Sequence, residues 1–381
     1  MAKNKTYPVG KSVLLCILAL IVGFVMGFAG FGFYKLPTDS DKYVTGDLKI
    51  HFLELGNHYT GDCTYIQAGD VDILIDAGSR YGSAETIETY LNQYVTDGKL
   101  EYVIATHAHE DHLAGFCNTS GNGGGIFDRF ETGIIIDFPK TSKTNTGSNT
   151  LLGRYLIARD AEVDAGATHY SALECYNNEN GAKRVYELTD SISMEILYNY
   201  YYENSTSDEN DYSVCVMFHH GEQKHFLFTG DLEHEGEERM VEYYDENHGG
   251  LPHCVLYKGG HHGSKTSSTE ALLSAITPEI VCVCCCAGTS EYTDNADNQF
   301  PTQDFINRVA PHTDAVYVTS VVDNYVANDE WSNQGSVKSM NGNILVTSNK
   351  LGVTVVGSNN STKLKDTDWF ANNRVRPTAW N

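Results

Sequence analysis

Behind the apolar run YVIAT, which reads as a strand, the chain continues THAHEDHLAG and sets His107, His109, Asp111 and His112 within six residues. At a content of 15 histidines in 381 residues, an H-x-H-x-D-H arrangement arises by chance on the order of once in several hundred chains, which makes coincidence the weaker reading. Alternate residues leaving a strand project together, so His107 and His109 can share one cation. The chain then turns and presents Asp111 and His112 to a neighbouring one. A fold that uses this segment must end a strand at a metal-binding turn.

Two later segments have the same form, an apolar strand running into a small-residue turn. HFLFTGDLE brings Asp231, and CVLYKGGHHGS brings His261 and His262. A carboxylate can bridge two cations. Taken singly, a GD turn or a histidine pair is as readily a surface feature; in the order HxHxDH, GD, HHGS the three read as one set. Asp76, in ILIDAGS, either caps the next helix or hydrogen-bonds a metal histidine from behind.

Strand-like runs recur from LKIHFLEL at 48 to LGVTVV at 351, with helical stripes between them, such as Ile87, Tyr90, Leu91, Tyr94 and Val95. Ser267 and Glu270 read as a capping box before ALLSAI. Residues 139–150 and 203–212, rich in Ser, Thr, Asn and Asp, read as surface loops. This alternation predicts one large α/β domain. Of the 10 cysteines, Cys282, Cys284, Cys285 and Cys286 lie in an apolar strand-like segment, where thiols pack as small hydrophobes.

The order LIDAG, THAHEDHLAG, FTGDLE, KGGHHGSKTSS resembles the metallo-β-lactamase superfamily, and within it is most similar to the soluble domain of ComEC-type competence proteins. The resemblance implies a four-layer αββα sandwich over residues 48–358 with two metal ions between the sheets; residues 359–381, by their composition, read as a tail that is polar until its last few residues. Carried onto this chain, it gives His107, His109, Asp111, His112, Asp231 and His261 as metal ligands. His262 or Ser264 is then left to contact substrate or protonate the leaving group, with Asp111 essential to turnover and Asp76 behind the ligands. The choice of His261 over His262 stays open. Departures from the family pattern are His58, inserted in LGNHYTGD, and ENDYSVCVMF, where Asn210 and Asp211 stand near the place of the usual third-motif histidine. Two cations sharing Asp231 would lower the pKa of a water from 15.7 toward about 7, which is hydrolytic chemistry. Imidazole and carboxylate ligands make zinc the first choice and manganese the second.

Residues 13–34, VLLCILALIVGFVMGFAGFGFY, carry no charge and are long enough to cross a bilayer as one helix. With the basic stub 1–12 before it and the linker 35–47 after it, this segment reads as a signal anchor that places the domain outside the cell membrane as a single-pass protein. The chain carries 26 Lys+Arg against 50 Asp+Glu, a net charge of −24, which disfavours long nucleic acid as a partner. The expectation is a membrane-anchored phosphodiesterase acting on a small or cell-envelope phosphodiester. Its rivals are an extracellular nuclease, a lactone or amide hydrolase, and a non-catalytic metal-dependent binding module.

Overall fold

A computed structural model describes residues 44–56, 61–80, 82–117, 123–290, 292–322, 337–339 and 341–381. Strands β1 (Leu48–Phe52), β2 (Thr64–Ala68), β3 (Val71–Ile75), β4 (Lys99–Ala105), β5 (Glu131–Asp137) and β6 (Thr168–Ser171) come first. They are followed by β7 (Val185–Glu187), β8 (Ile192–Ile196), β9 (Val216–His220), β10 (Lys224–Phe228), β11 (Leu256–Lys258) and β12 (Ile280–Ala287). The last four are β13 (Val316–Val322), β14 (Val337–Ser339), β15 (Ile344–Asn349) and β16 (Gly352–Gly357). Two sheets result, ordered β16-β15-β1-β2-β3-β4-β5-β6 and β14-β13-β12-β11-β10-β9-β8-β7. The helices are α1 (Ser83–Leu91), α2 (Glu110–Leu113), α3 (Leu151–Ala165), α4 (Ala172–Asn177), α5 (His234–His248), α6 (Glu270–Ile276), α7 (Gln303–Val309) and α8 (Asp368–Asn373).

The two-residue period of the strands divides the apolar residues between layers. Ile50, Phe52, Phe226, Phe228, Cys282 and Cys284 enter the core between the sheets, where the rings of Phe52 and Phe228 stack at 6.1 Å. On the same strands, Val281, Val283 and Cys285 point the other way, into a second core with Met240 of α5, Leu272 of α6 and Phe305 of α7. On the far side of the first sheet, His51 meets Tyr90 of α1, with Nδ1 2.8 Å from the phenol oxygen. The described residues form an α/β sandwich with helices outside two facing sheets, an arrangement that resembles the fold the sequence motifs imply.

Strands β3 to β6 run parallel, and so do β10 to β13. Parallel strands deliver their carboxyl ends to one edge. The turns after β4, β10 and β11, which carry the three histidine and aspartate segments, therefore meet there.

Several expectations change. The proposed transmembrane helix at 13–34, with its stub and most of its linker, lies outside the described residues. No helix among the described residues is long and apolar enough to cross a membrane. The membrane partner, the single-pass topology and the extracellular location rested on that helix and are withdrawn with it. The tail after 358 is not merely polar: Trp369, Phe370 and Trp380 are buried in the second core. The cap of α6 is Thr269, whose hydroxyl accepts from the Leu272 N–H, while Ser267 instead donates to the Gly260 carbonyl at 2.7 Å.

Candidate metal centre

The turn after β4 is fixed from behind by a carboxylate at the end of β3. Thr106 donates its N–H and its hydroxyl to the two oxygens of Asp76, each at 2.8 Å. Asp76 Oδ2 also lies 2.7 Å from His112 Nδ1. Helix α1 begins seven residues on, after Gly82, so Asp76 stands behind His112 and not at that helix's cap. Its grip on Nδ1 orients the imidazole and leaves Nε2 as the outward-facing nitrogen.

Two glycines permit close approach at this edge. At Gly61 (φ 63°) a Cβ would lie 2.4 Å from the Asp111 carbonyl, the same carbonyl that accepts from the Asp62 N–H at 2.9 Å. At Gly230 (φ 55°) a Cβ would meet the Ser213 hydroxyl at 2.8 Å, and that hydroxyl accepts from the Asp231 N–H at 3.0 Å. Left-handed backbone there is cheap only for glycine. His261 and His262 also adopt positive φ, 44° and 53°, a conformation non-glycine residues hold only where the surroundings enforce it.

Two groups of ligand-type atoms form. His107 Nε2 lies 3.1 Å from His109 Nδ1. Asp231 Oδ2 lies 3.1 Å from His112 Nε2 and 3.4 Å from His262 Nε2, and Asp111 Oδ2 lies 3.1 Å from His262 Nε2. Around a tetrahedral ion with ligand bonds of about 2.0–2.2 Å, neighbouring ligand atoms are separated by roughly 3.3–3.6 Å. Both groups fit divalent cations with little adjustment. The rings of His107 and His112 lie 4.1 Å apart, so the groups adjoin as a candidate binuclear site.

Asp62, His112, Asp231 and His262, all buried, also offer ligand atoms within 4.8 Å of one another. Asp62, however, faces the Nδ1 side of the imidazoles, 3.6 Å from His262 Nδ1 and 3.9 Å from His112 Nδ1. Those nitrogens already meet the Cys284 carbonyl at 2.9 Å and Asp76. Asp62 instead pairs with the buried Lys258 ammonium, which also donates to the Gly230 carbonyl at 3.1 Å and lies 3.7 Å from Asp231 Oδ1.

The electrostatics favour positive charge at the centre. Burial alone would lower His112, yet Asp231, Asp76 and Asp111 raise it well above the ordinary imidazole range. Against the same burial, Asp231, Asp62 and Asp111 lift His262 to about 9. Asp231, although buried, is held well below the usual carboxylate range by His112, His262 and His261. His107, by contrast, is pushed down, by burial first and then by His112. A neutral imidazole is the form that binds metal.

The sequence-predicted residues divide accordingly. His107, His109, Asp111, His112 and Asp231 converge. His262 joins them, whereas His261 turns its Nδ1 to Glu233 at 3.0 Å and Thr266 at 3.2 Å, with Nε2 4.0 Å from Asp231. The Ser264 hydroxyl is engaged with Thr266 at 2.9 Å. Asn210 donates to Glu233 at 3.2 Å and Asp211 accepts from Thr206 at 3.2 Å. The group from that segment that reaches the centre is Ser213, 3.4 Å from His107 Nδ1. His58 lies outside the described residues. Sequence reasoning passed over Asp62, Lys258 and Tyr292; the last donates to Asp111 Oδ2 at 3.1 Å and stacks on His262 at 5.6 Å. The GD before β2 and the lysine before GGHHGS were the available signals.

Comparison with known proteins finds partial similarities. The model of the metallo-beta-lactamase superfamily matches residues 56–116. The competence protein ComA of Neisseria gonorrhoeae is 34% identical over 110 residues, which is 29% of this chain and 14% of that protein's length. The similarity to competence proteins is thus weak and partial. Among solved structures, the metallo-beta-lactamase fold protein YhfI of Bacillus subtilis aligns with a TM-score of 0.40 at 11% identity, covering 72% of this chain and 96% of its own. The metallo hydrolase Igni18 of Ignicoccus hospitalis aligns with a TM-score of 0.37 at 12% identity, covering 78% and 98%.

Proposed function

We propose that the chain is a metal-dependent hydrolase of the metallo-β-lactamase superfamily, which the family match over residues 56–116 and the buried cluster of ligand-type side chains support, and that it works with two divalent cations that share Asp231. This replaces the membrane-anchored extracellular phosphodiesterase expected above. In the proposal His107 and His109 hold the first cation, and Asp111, His112 and His262 hold the second, with zinc preferred to manganese for an imidazole and carboxylate set. When bound, such cations supply the Lewis acidity that makes water nucleophilic at neutral pH and polarises the bond to be cut.

The chain's own residues do the rest. Asp76 fixes His112 as the tautomer that offers Nε2, and the Cys284 carbonyl does the same for His262. Lys258 balances Asp62 and Asp231 inside a buried cluster, where unpaired carboxylates would be costly. Tyr292 covers His262 and steadies Asp111 from the open side.

The observation that carries this reading is the placement of Asp231 Oδ2 within 3.1 Å and 3.4 Å of two imidazole nitrogens, in a cluster that adjoins His107 and His109. The test is turnover of the purified chain with zinc or manganese on carboxylic ester, lactone and phosphodiester panels. Hydrolysis of at least one class, lost at least 100-fold in Asp231→Asn, is expected. Turnover unaffected by that substitution overturns the reading.

A further inference from the structure

Beside His109 a pocket of about 550 Å³ opens between the metal cluster and the loop that follows β5. Ala108 and His109 form one wall, and Ser142, Lys143, Asn145 and Leu151 contribute to the other. The two walls are joined by one buried carboxylate. Glu209 accepts from the Ala108 N–H at 3.0 Å on the first, and on the second from the Thr141 hydroxyl at 2.8 Å, the Ser142 N–H at 2.7 Å and the Ser142 hydroxyl at 2.6 Å. The loop that reads as a polar surface segment is therefore held in register with the metal-binding turn.

The pocket has a positive side. Lys143, exposed on the loop that lines the pocket opposite His109, makes no ion pair among the described residues. Helix α3 starts here. Thr150 spends its hydroxyl on the Gly153 N–H at 3.1 Å, which leaves the N–H groups of Leu151 and Leu152 in a first turn that has no intrahelical acceptor for them. The positive end of a 15-residue helix adds to the lysine. Glu110, exposed on the rim, is the carboxylate among the lining residues. In a chain with 50 acids against 26 bases, an unpaired lysine beside the centre attracts anions that the rest of the surface repels.

We infer that this pocket takes a negatively charged group of the substrate, held by Lys143 and the first turn of α3, beside the bond that the metal cluster cuts. The inference rests on the hydrolase reading and narrows it to anionic substrates. Lys143 is the specificity-determining residue, and Glu209 positions the wall that carries it.

Two unhydrolysable probes test this by calorimetric titration of the zinc-loaded chain, with metal content measured in the same samples. They are diphenylphosphinate, an anion, and methyldiphenylphosphine oxide, which is uncharged. Lys143→Met is expected to raise the Kd of the anion about tenfold, as for a lost charge-assisted contact. Lys143→Arg should keep it within about threefold, and Glu110→Gln should lower it. The uncharged probe should bind all four proteins alike. The inference is overturned if the wild-type chain does not bind the anion, if Lys143→Met binds it unchanged, or if both probes weaken together. A wild-type chain that binds the anion through Lys143 yet retains no zinc leaves the pocket standing and refutes the metal reading.

Discussion

His261 and His262 are adjacent, both left-handed in backbone, and yet differ in use. His262 Nδ1 is fixed by the Cys284 carbonyl, so its Nε2 faces Asp111 and Asp231, while His261 is taken up by Glu233 and Thr266. His262→Ala is accordingly expected to lose the cation held with Asp111 and His112, whereas His261→Ala retains it; metal analysis of the two purified variants decides. Asp76→Asn leaves the His112 ring in place but weakens its tautomer control, and zinc affinity should fall about 10- to 100-fold in a competitive chelator titration. The HxHxDH spacing was legible because its residues lie within one turn of chain. Which of two adjacent histidines turns inward depends on the bend after Gly260, and no spacing encodes it. Asp62 and Lys258 escaped for another reason: each is a single residue, and their pairing exists only once the two sheets face each other.

Helix α5 carries a buried carboxylate, Glu237, that accepts from the Ser268 N–H at 2.7 Å and the Thr269 N–H at 2.6 Å, tying the helix to the segment between HHGS and α6. Burial lifts Glu237 from 4.5 to about 7, against the pull of those N–H groups. With the folded pKa above the unfolded one, its contribution is full below about pH 4.5 and is lost as pH rises through 7, about 3 kcal/mol across that window. Urea unfolding at pH 4.5 and pH 8 should show this loss in the wild-type chain and not in Glu237→Gln. Equal pH dependence in the two contradicts it. Strand β12 is wholly buried, and its four cysteines pack as apolar residues on both faces of the sheet, as the sequence pattern suggested. The nine described cysteines are free and buried, so they should react with Ellman's reagent only after unfolding. The capping box was misplaced by two residues because Ser267 and Thr269 are both good caps, and the local pattern does not say that Ser267 is already spent on Gly260.

At the scale of the molecule, two parallel strand sets put the turns after β4, β10 and β11 at one edge, and this convergence gives the chain its chemistry. The alternation of strands and helices was legible from apolar periodicity. The burial of Trp369, Phe370 and Trp380 was not, since few apolar residues in a polar stretch carry no period. In the proposed arrangement the first cation would have two imidazoles and Asp231 but no third histidine, since the segment at 210–213 brings Ser213 toward His107 and turns Asn210 and Asp211 to Glu233 and Thr206. The Asp111, His112, Asp231, His262 set should therefore fill first. The most direct measurement is the zinc content per chain of purified protein during stepwise loading, for the wild type and Asp231→Ala. The account predicts two cations at saturation, taken up in two separable phases, and at most one in the variant; a wild-type chain that retains none, or a variant that retains two, contradicts it.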